Sequence, residues 1–123
     1  METPTILIVE DDPVIVISLE FLMAQNGYDV FVSHSGEDAL EKLKTMKPQV
    51  ILMDVMLPHR SGFEVCQKIR SDKQHRDVKI ILLSARGRET DINKGLSLGA
   101  NAYITKPFST RNLLETIKDL ISQ

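Results

Sequence analysis

Polar and charged residues follow four of the short apolar runs in this sequence. They are Glu10, Asp11 and Asp12 after the first run, Asp54 after the third, Ser84 after the fourth and Lys106 after the fifth. If these runs are parallel strands, the residues lie at the carboxyl edge of a sheet, where ligands bind in open α/β folds. An acid after a strand is usually a helix cap, but carboxylates, a hydroxyl and an ammonium group at one edge predict a site.

Such a set of residues permits phosphoryl transfer with a metal ion. Clustered carboxylates repel one another unless a cation lies among them, and an all-oxygen site that must also hold phosphate suits Mg²⁺. The carboxylate of Asp54 could attack phosphorus to form an aspartyl phosphate. Lys106, Ser84 and the backbone N–H of Ala85 could then stabilise the phosphoryl charge.

The elements that position these residues alternate between apolar runs and amphipathic stretches of helical length. The predicted strands are Thr5 to Val9, Asp29 to Val32, Val50 to Met53, Lys79 to Leu83 and Ala102 to Thr105. Several runs are nearly continuous in Val, Ile and Leu, as strands covered on both faces should be. Gly27, Lys47-Pro48 and Gly99 are expected to follow the first, second and fourth helices. The pattern predicts an α/β domain with a parallel sheet.

The three adjacent acids at the end of the first run have different predicted roles. Val14 to Ile17 favours a strand by residue type, but Asp12 is a good N-cap and Pro13 suits the first helical position, so we predict a helix. If Asp12 caps this helix, Glu10 and Asp11 are left for the metal.

The first helix has two apolar stripes at about 100° per residue. The predicted core stripe is Ile15, Leu19, Leu22 and Met23. The second stripe is Val14, Ile17 and Phe21. Either neighbouring helices cover the second stripe, or its exposed part binds a helix of a partner protein that donates the phosphoryl group, beside Asp54 and the Pro107-Phe108 loop.

Length and composition limit the possible classes of protein. The 123 residues predict one domain spanning 1–123, and a net charge of −2 gives no indication of nucleic-acid or membrane binding. No apolar run approaches the roughly 18 residues of a spanning helix, and no charged leader precedes an apolar stretch. We therefore expect a cytoplasmic protein.

The sequence resembles the receiver domains of two-component response regulators over essentially its whole length. The resemblance depends on the acids after the first run, Asp54-Val55-Met56-Leu57-Pro58 followed by Gly62, Ser84-Ala85, and Tyr103 followed by Lys106-Pro107-Phe108. It implies a flavodoxin-like (βα)5 fold, which is a doubly wound parallel five-stranded sheet in the order 2-1-3-4-5. Two helices are then expected on one face and three on the other.

The resemblance also implies roles for the acidic residues. Asp54 would be the phosphoacceptor. Mg²⁺ would bind Asp11, Asp54 and the backbone carbonyl of Met56, and Glu10 would reach the metal through water.

The remaining implied roles concern the phosphoryl group and the switch. Ser84 and Lys106 would hold phosphoryl oxygens, Ser84 and Tyr103 would form the switch, and the Lys106-Pro107 bond would be cis. Met56 and Arg86 flank the route of a hydrolytic water and could set the lifetime of the phosphoryl group. Asn101-Ala102 stands where receivers that dimerise to bind DNA commonly carry acids, so the usual charge-paired dimer is not expected. Direct nucleic-acid binding is not expected either.

The function implied by the resemblance is a phosphorylation-activated signalling switch. It would take phosphate from the phosphohistidine of a histidine kinase or phosphotransfer protein and change its contacts with an unknown target protein. It would not be an enzyme beyond its own aspartyl phosphorylation and dephosphorylation. The chain would be a complete single-domain regulator or a receiver fragment of a larger regulator or hybrid kinase.

Two other classes of function are disfavoured by residues at the predicted site. A phosphatase with an aspartyl intermediate usually has a D-x-D motif, and Met56 replaces its second acid. A flavin or nucleotide binder of similar fold would need a glycine-rich or hydroxyl-rich first loop, whereas Glu10-Asp11-Asp12 would repel phosphate without a metal.

Overall fold

The structure, a computed structural model, describes residues 3–123, in which five strands alternate with five α-helices. The strands are β1 (Thr5–Val9), β2 (Asp29–Ser33), β3 (Val50–Asp54), β4 (Lys79–Ser84) and β5 (Ala102–Thr105). The helices are α1 (Pro13–Gln25), α2 (Gly36–Lys42), α3 (Gly62–Ser71), α4 (Glu89–Ser97) and α5 (Thr110–Ile121), with a short 3₁₀ turn at Lys73–His75.

All neighbouring strands are parallel, in the order β2-β1-β3-β4-β5. The central strand β3 is buried at every position, and β1 and β4 are buried at all but their first residue. This matches their runs of branched apolar residues, since a strand between two helical layers needs apolar side chains on both faces. The predicted flavodoxin-like fold and strand order are confirmed.

Two apolar layers fill the space between the sheet and its helices. Leu19 of α1 and Ile117 of α5 pack against one face of the sheet, while Ala39 of α2 and Cys66 of α3 belong to the layer on the other face. Leu98, just after α4, packs against that second layer. The arrangement of two helices on one face and three on the other therefore agrees with the prediction. None of the helices in the described residues is long and apolar enough to cross a membrane.

The predicted element boundaries were wrong at several ends. Strands β2, β3 and β4 each extend one residue further, to Ser33, Asp54 and Ser84, because these residues still align with a neighbouring strand. Helix α2 ends at Lys42 instead of reaching Lys47-Pro48. The amides of Lys44 and Thr45 donate to the carbonyls three residues before them, at 3.2 and 3.1 Å, and this tighter pattern ends the helix.

Helix α1 begins where its cap was predicted. Pro13 is the first helical residue, and the Asp12 carboxylate accepts a hydrogen bond of 2.9 Å from the amide of Val14. This satisfies one of the amides that the helix start leaves without an intrahelical partner. The carboxylate of Asp12 is therefore engaged in structure.

The core stripe of α1 was only partly predicted. The buried residues are Val16, Leu19 and Met23, while Ile15 and Leu22 are half-buried against the same layer. The helix is thus rotated so that Val16, and not Ile15, faces the sheet. The second apolar stripe is not covered by neighbouring helices, since Val14, Ile17 and Phe21 are all exposed.

Candidate functional site

Four of the predicted site residues lie at the carboxyl edge of the sheet. Glu10 follows β1, Asp54 and Ser84 end β3 and β4, and Lys106 follows β5. Glu10, Asp54 and Ser84 are buried, with exposed fractions of 2%, 6% and 0%. Buried charges require partners, and the partner of both the Glu10 and the Asp54 carboxylate is the Lys106 ammonium group.

Three carboxylates form a cluster that fits a divalent cation. Glu10, Asp11 and Asp54 each have an oxygen within 4.8 Å of the others. Asp11 is exposed, which leaves the cluster open to solvent on one side. A hard cation such as Mg²⁺ prefers oxygen ligands and retains several waters, so a set of carboxylates with one open side suits it. Asp12 is not part of the cluster.

The Glu10 carboxylate is held by its own loop. Its Oε2 accepts hydrogen bonds from the amides of Asp11 and Asp12 at 3.0 and 3.2 Å, and its Oε1 accepts one from Lys106 Nζ at 3.1 Å. Burial, assisted by the nearby charge of Asp54, raises the pKa of Glu10 to about 6, although the hydrogen bonds from the backbone and Lys106 act in the opposite direction. Glu10 is therefore ionised above neutral pH.

Lys106 joins two of the three carboxylates. Its Nζ lies 3.1 Å from Glu10 Oε1 and 3.4 Å from Asp54 Oδ2. Burial alone would lower the pKa of Lys106, but the charge of Asp54 and the hydrogen bond to Glu10 raise it on balance. The ammonium group thus remains charged beside the Asp54 carboxylate.

The loop after β3 is folded tightly against Asp54. The amide of Met56 donates to Asp54 Oδ1 at 3.2 Å, and the amide of Gly62 donates to the carbonyl of Val55 at 2.8 Å. A Cβ on Gly62 would lie only 2.4 Å from the backbone oxygen of Asp54, so this position requires glycine. His59 has a positive φ of 66°, which a non-glycine residue rarely adopts. The spacing of Gly62 was visible in the sequence, whereas the conformation of His59 was not.

A chain of hydrogen bonds connects Ser84 to Tyr103 through the backbone of Arg86. The Arg86 amide donates to Ser84 Oγ at 3.0 Å, and Tyr103 Oη donates to the Arg86 carbonyl at 2.7 Å. The two predicted switch residues are therefore coupled through one intervening peptide segment, which the sequence did not indicate. The Tyr103 ring also lies against Gly95 of α4, where an added Cβ would be 3.0 Å from Cδ2.

The remaining predicted residues lie in the loops around the site. Ala85 follows Ser84 and is exposed, as is the side chain of Met56, with an exposed fraction of 54%. The Lys106-Pro107 bond is cis, as expected. The edge therefore combines a buried carboxylate paired with an ammonium group, a carboxylate cluster suited to Mg²⁺ and a buried hydroxyl.

Comparison with known proteins gives one consistent result. The family model of the response regulator receiver domain matches residues 6–118. A proposed response regulator from Chloroflexus aurantiacus J-10-fl is 31% identical with a TM-score of 0.94, covering 99% of this chain and 100% of that one. The chemotaxis response regulator CheY4 of Vibrio cholerae is 27% identical with a TM-score of 0.91, covering 97% of this chain and 99% of its own.

A third similar structure contains a metal ion. The receiver domain of a sensor histidine kinase from Pseudomonas aeruginosa PAO1 is 31% identical with a TM-score of 0.91. The alignment covers 99% of this chain and 100% of that domain. In that structure a magnesium ion is coordinated in the active site cleft.

Proposed function

This chain belongs to the response regulator receiver domain family, and we propose that it is a phosphorylation-activated switch of a two-component phosphorelay in which Asp54 accepts the phosphoryl group. The observation that carries the proposal is the position of the Asp54 carboxylate, 3.4 Å from the Lys106 ammonium group and within the cluster of Glu10 and Asp11. Receiver domains interact with histidine kinases or phosphotransfer partners, and one of these is the proposed phosphodonor.

The proposed metal ligands are Asp11, Asp54 and the backbone carbonyl of Met56, with Glu10 reaching the ion through water. The carboxylate cluster supports this assignment because its oxygens are close enough to share one cation. Magnesium bound in the related Pseudomonas receiver supports it further. When bound, Mg²⁺ would neutralise part of the charge on the carboxylates and on the phosphoryl oxygens.

In the proposed transfer, a carboxylate oxygen of Asp54 attacks the phosphorus of the donor's phosphohistidine. The new O–P bond forms as the N–P bond breaks, and the imidazole leaves with the electron pair of the broken bond. The Lys106 ammonium group, the Ser84 hydroxyl and the Ala85 amide are the proposed donors to the phosphoryl oxygens. Such preorganised donors stabilise the charge of the transition state.

The proposed readout runs from Ser84 to Tyr103. Ser84 Oγ accepts a hydrogen bond from the Arg86 amide, which leaves its own proton available for a phosphoryl oxygen. A shift of Ser84 toward the phosphoryl group would move the Arg86 segment and, with it, the carbonyl that holds Tyr103. The resulting change in surface would alter contacts with a downstream protein, without direct binding of nucleic acid.

The proposal treats residues 1–123 as one receiver domain, either a complete regulator or part of a larger regulator or hybrid kinase. Its only catalysis would be its own aspartyl phosphorylation and dephosphorylation. A phosphatase is less well supported, because Met56 supplies no general acid two residues beyond Asp54.

The assignment of the metal ligands is tested by phosphoryl labelling of the parent protein and of variants at two neighbouring acids. With phosphoramidate as donor, Mg²⁺ should permit labelling of the parent protein and excess EDTA should prevent it, as measured by intact-mass spectrometry. Asp11→Asn should slow labelling by about tenfold or more, a loss of about 1.4 kcal/mol in transition-state stabilisation. The matched control is Asp12→Asn, which should label normally because asparagine caps helices as well as aspartate does. Equal losses in both variants would contradict the proposed metal site.

A further inference from the structure

A cavity lies at the amino edge of the sheet, at the opposite end of the strands from the proposed phosphorylation site. It has a volume of about 340 Å³ and is formed by residues at the starts of β3 and β4, in the 3₁₀ turn and at the end of α5. Volumes of this size are in the range of pockets that bind small molecules. Strands β3 and β4 begin at this cavity and end at Asp54 and Ser84, so both sites lie on the same pair of strands.

The apolar part of the lining provides a surface for hydrocarbon. Pro48, Val78 and Leu120 are buried there, and Ile121 is half-buried. An apolar group that covers these residues releases water from them, which favours binding. The cavity therefore suits a ligand with a small apolar body, such as one ring or a short branched chain.

Two ammonium groups of the lining have no acidic partner in residues 3–123. Neither Lys47 nor Lys79 forms an ion pair there, although Lys79 is half-buried. The Lys79 Nζ reaches the amide oxygen of Gln123 at 3.5 Å, a distance at which a hydrogen bond is weak. Asp77, the acidic residue of the lining, is exposed and pairs with neither lysine. Since a charge withdrawn from water needs a partner, the lining favours an anionic group beside Lys79.

His75 adds a buried polar side chain to the lining. Its exposed fraction is 5%, and its Nε2 lies 2.8 Å from the carbonyl oxygen of Leu43. Because a carbonyl oxygen only accepts, Nε2 of the neutral ring carries the proton and Nδ1 is left as an acceptor. No group of the described chain donates a hydrogen bond to Nδ1. The cavity thus combines cationic donors with a free acceptor, as expected of a site for a polar ligand and not for a purely apolar one.

We propose that this cavity binds a small carboxylic acid with an apolar body. The carboxylate pairs with Lys79 and Lys47, and the apolar body lies against the buried residues Pro48, Val78 and Leu120. The ligand therefore needs both a negative charge and a hydrocarbon part. None of the cavity residues belongs to the carboxylate cluster at the other edge of the sheet, so the proposal does not depend on the proposed phosphorylation.

Three probes separate the contributions of charge and apolar body: benzoate, its neutral analogue benzamide, and inorganic phosphate. Each is titrated into the full ¹⁵N-labelled chain at constant ionic strength without Mg²⁺, and the backbone amide signals are followed by NMR. Benzoate should shift the signals of Gln49, Gln74 and Lys79, which line the cavity, with a Kd of about 1 mM or tighter. Benzamide lacks the charge and phosphate lacks the apolar body, so each should bind at least about tenfold more weakly.

A matched pair of lysine variants tests the site itself. Lys79→Gln should weaken benzoate by about tenfold, whereas Lys118→Gln, which removes an exposed lysine of α5 outside the lining, should not. Lys47→Gln is a second variant at an exposed position, and it should also weaken benzoate. Circular dichroism and melting of each variant establish that all of them fold.

Four results would overturn the proposal. The first is the absence of saturable shifts up to about 10 mM benzoate, and the second is shifts centred on residues outside the cavity. The third is equal binding of benzoate and either of the other two probes, because the site would then not select for an acid with an apolar body. The fourth is parental affinity in both Lys79→Gln and Lys47→Gln, because the lysines would then not hold the carboxylate.

Discussion

Replacement of Asp54 by Asn should raise the melting temperature of the protein in chelator. The substitution removes one charge from a cluster in which Glu10, Asp11 and Asp54 lie within 4.8 Å of one another. It also removes the attraction between Asp54 and Lys106 at 3.4 Å. The amide oxygen of Asn can keep the hydrogen bond from Met56, so the change acts mainly through charge.

The magnitude follows from Coulomb's law. At 4.8 Å and an effective dielectric constant of about 40, intermediate between water and a protein surface, each lost repulsion amounts to about 1.7 kcal/mol. The lost attraction at 3.4 Å amounts to about 2.4 kcal/mol on the same basis. Two repulsions therefore outweigh one attraction by about 1 kcal/mol, and solvent screening of exposed Asp11 reduces this margin. For 123 residues the full margin corresponds to a gain of about 4 °C.

The assay is thermal unfolding followed by circular dichroism at pH 8, where Glu10, with a pKa of about 6, is ionised. The gain should be largest in EDTA and smaller in Mg²⁺, because the ion stabilises the parent by binding the folded state. Glu20→Gln is the control, since it removes an exposed carboxylate of α1 outside the cluster. A lower melting temperature of Asp54→Asn in EDTA, or an equal gain in the control, would refute the reasoning.

Three further predictions concern other parts of the chain. Gly95→Ala would place a Cβ 3.0 Å from the Tyr103 ring, so NMR contacts between this ring and the Arg86 segment should weaken, and an unchanged pattern would show that the ring is not confined there. His59→Val should lower the free energy of unfolding in urea by about 1–2 kcal/mol, because a β-branched residue is disfavoured at positive φ, whereas His59→Gly should not lower it. Burial raises the pKa of Cys66 to about 11, so Ellman's reagent at pH 8 should react with it slowly in the native protein and rapidly in urea; rapid native reaction would contradict its burial.

The parts of the fold that depend on residue type were predictable from the sequence. Short apolar runs identified all five strands, and those of β1, β3 and β4 are nearly continuous in branched apolar residues because strands covered on both faces need them. Asp12 and Pro13 correctly outweighed the strand propensity of the four residues after them, because capping and a fixed φ act locally. The same local logic separated Asp12 from the cluster of Glu10, Asp11 and Asp54.

The features that depend on tertiary packing were not predictable in this way. Val16 is buried because of the way α1 is turned over the sheet, and no local signal fixes that rotation. Similarly, the Ser84–Arg86–Tyr103 hydrogen bonds depend on where the β4–α4 loop folds relative to β5. The single-residue errors at strand ends arise because pairing with a neighbouring strand, and not side-chain type, determines where a strand stops.

The most direct measurement of the central claim is the mass of the intact protein after incubation with phosphoramidate and Mg²⁺. The parent and Glu20→Gln should each gain one phosphoryl group that is stable in acid and labile in base, as expected of an acyl phosphate. Asp54→Ala should gain none, provided that its circular dichroism spectrum shows a folded protein. Undiminished labelling of folded Asp54→Ala would contradict the assignment of Asp54 as the phosphoacceptor.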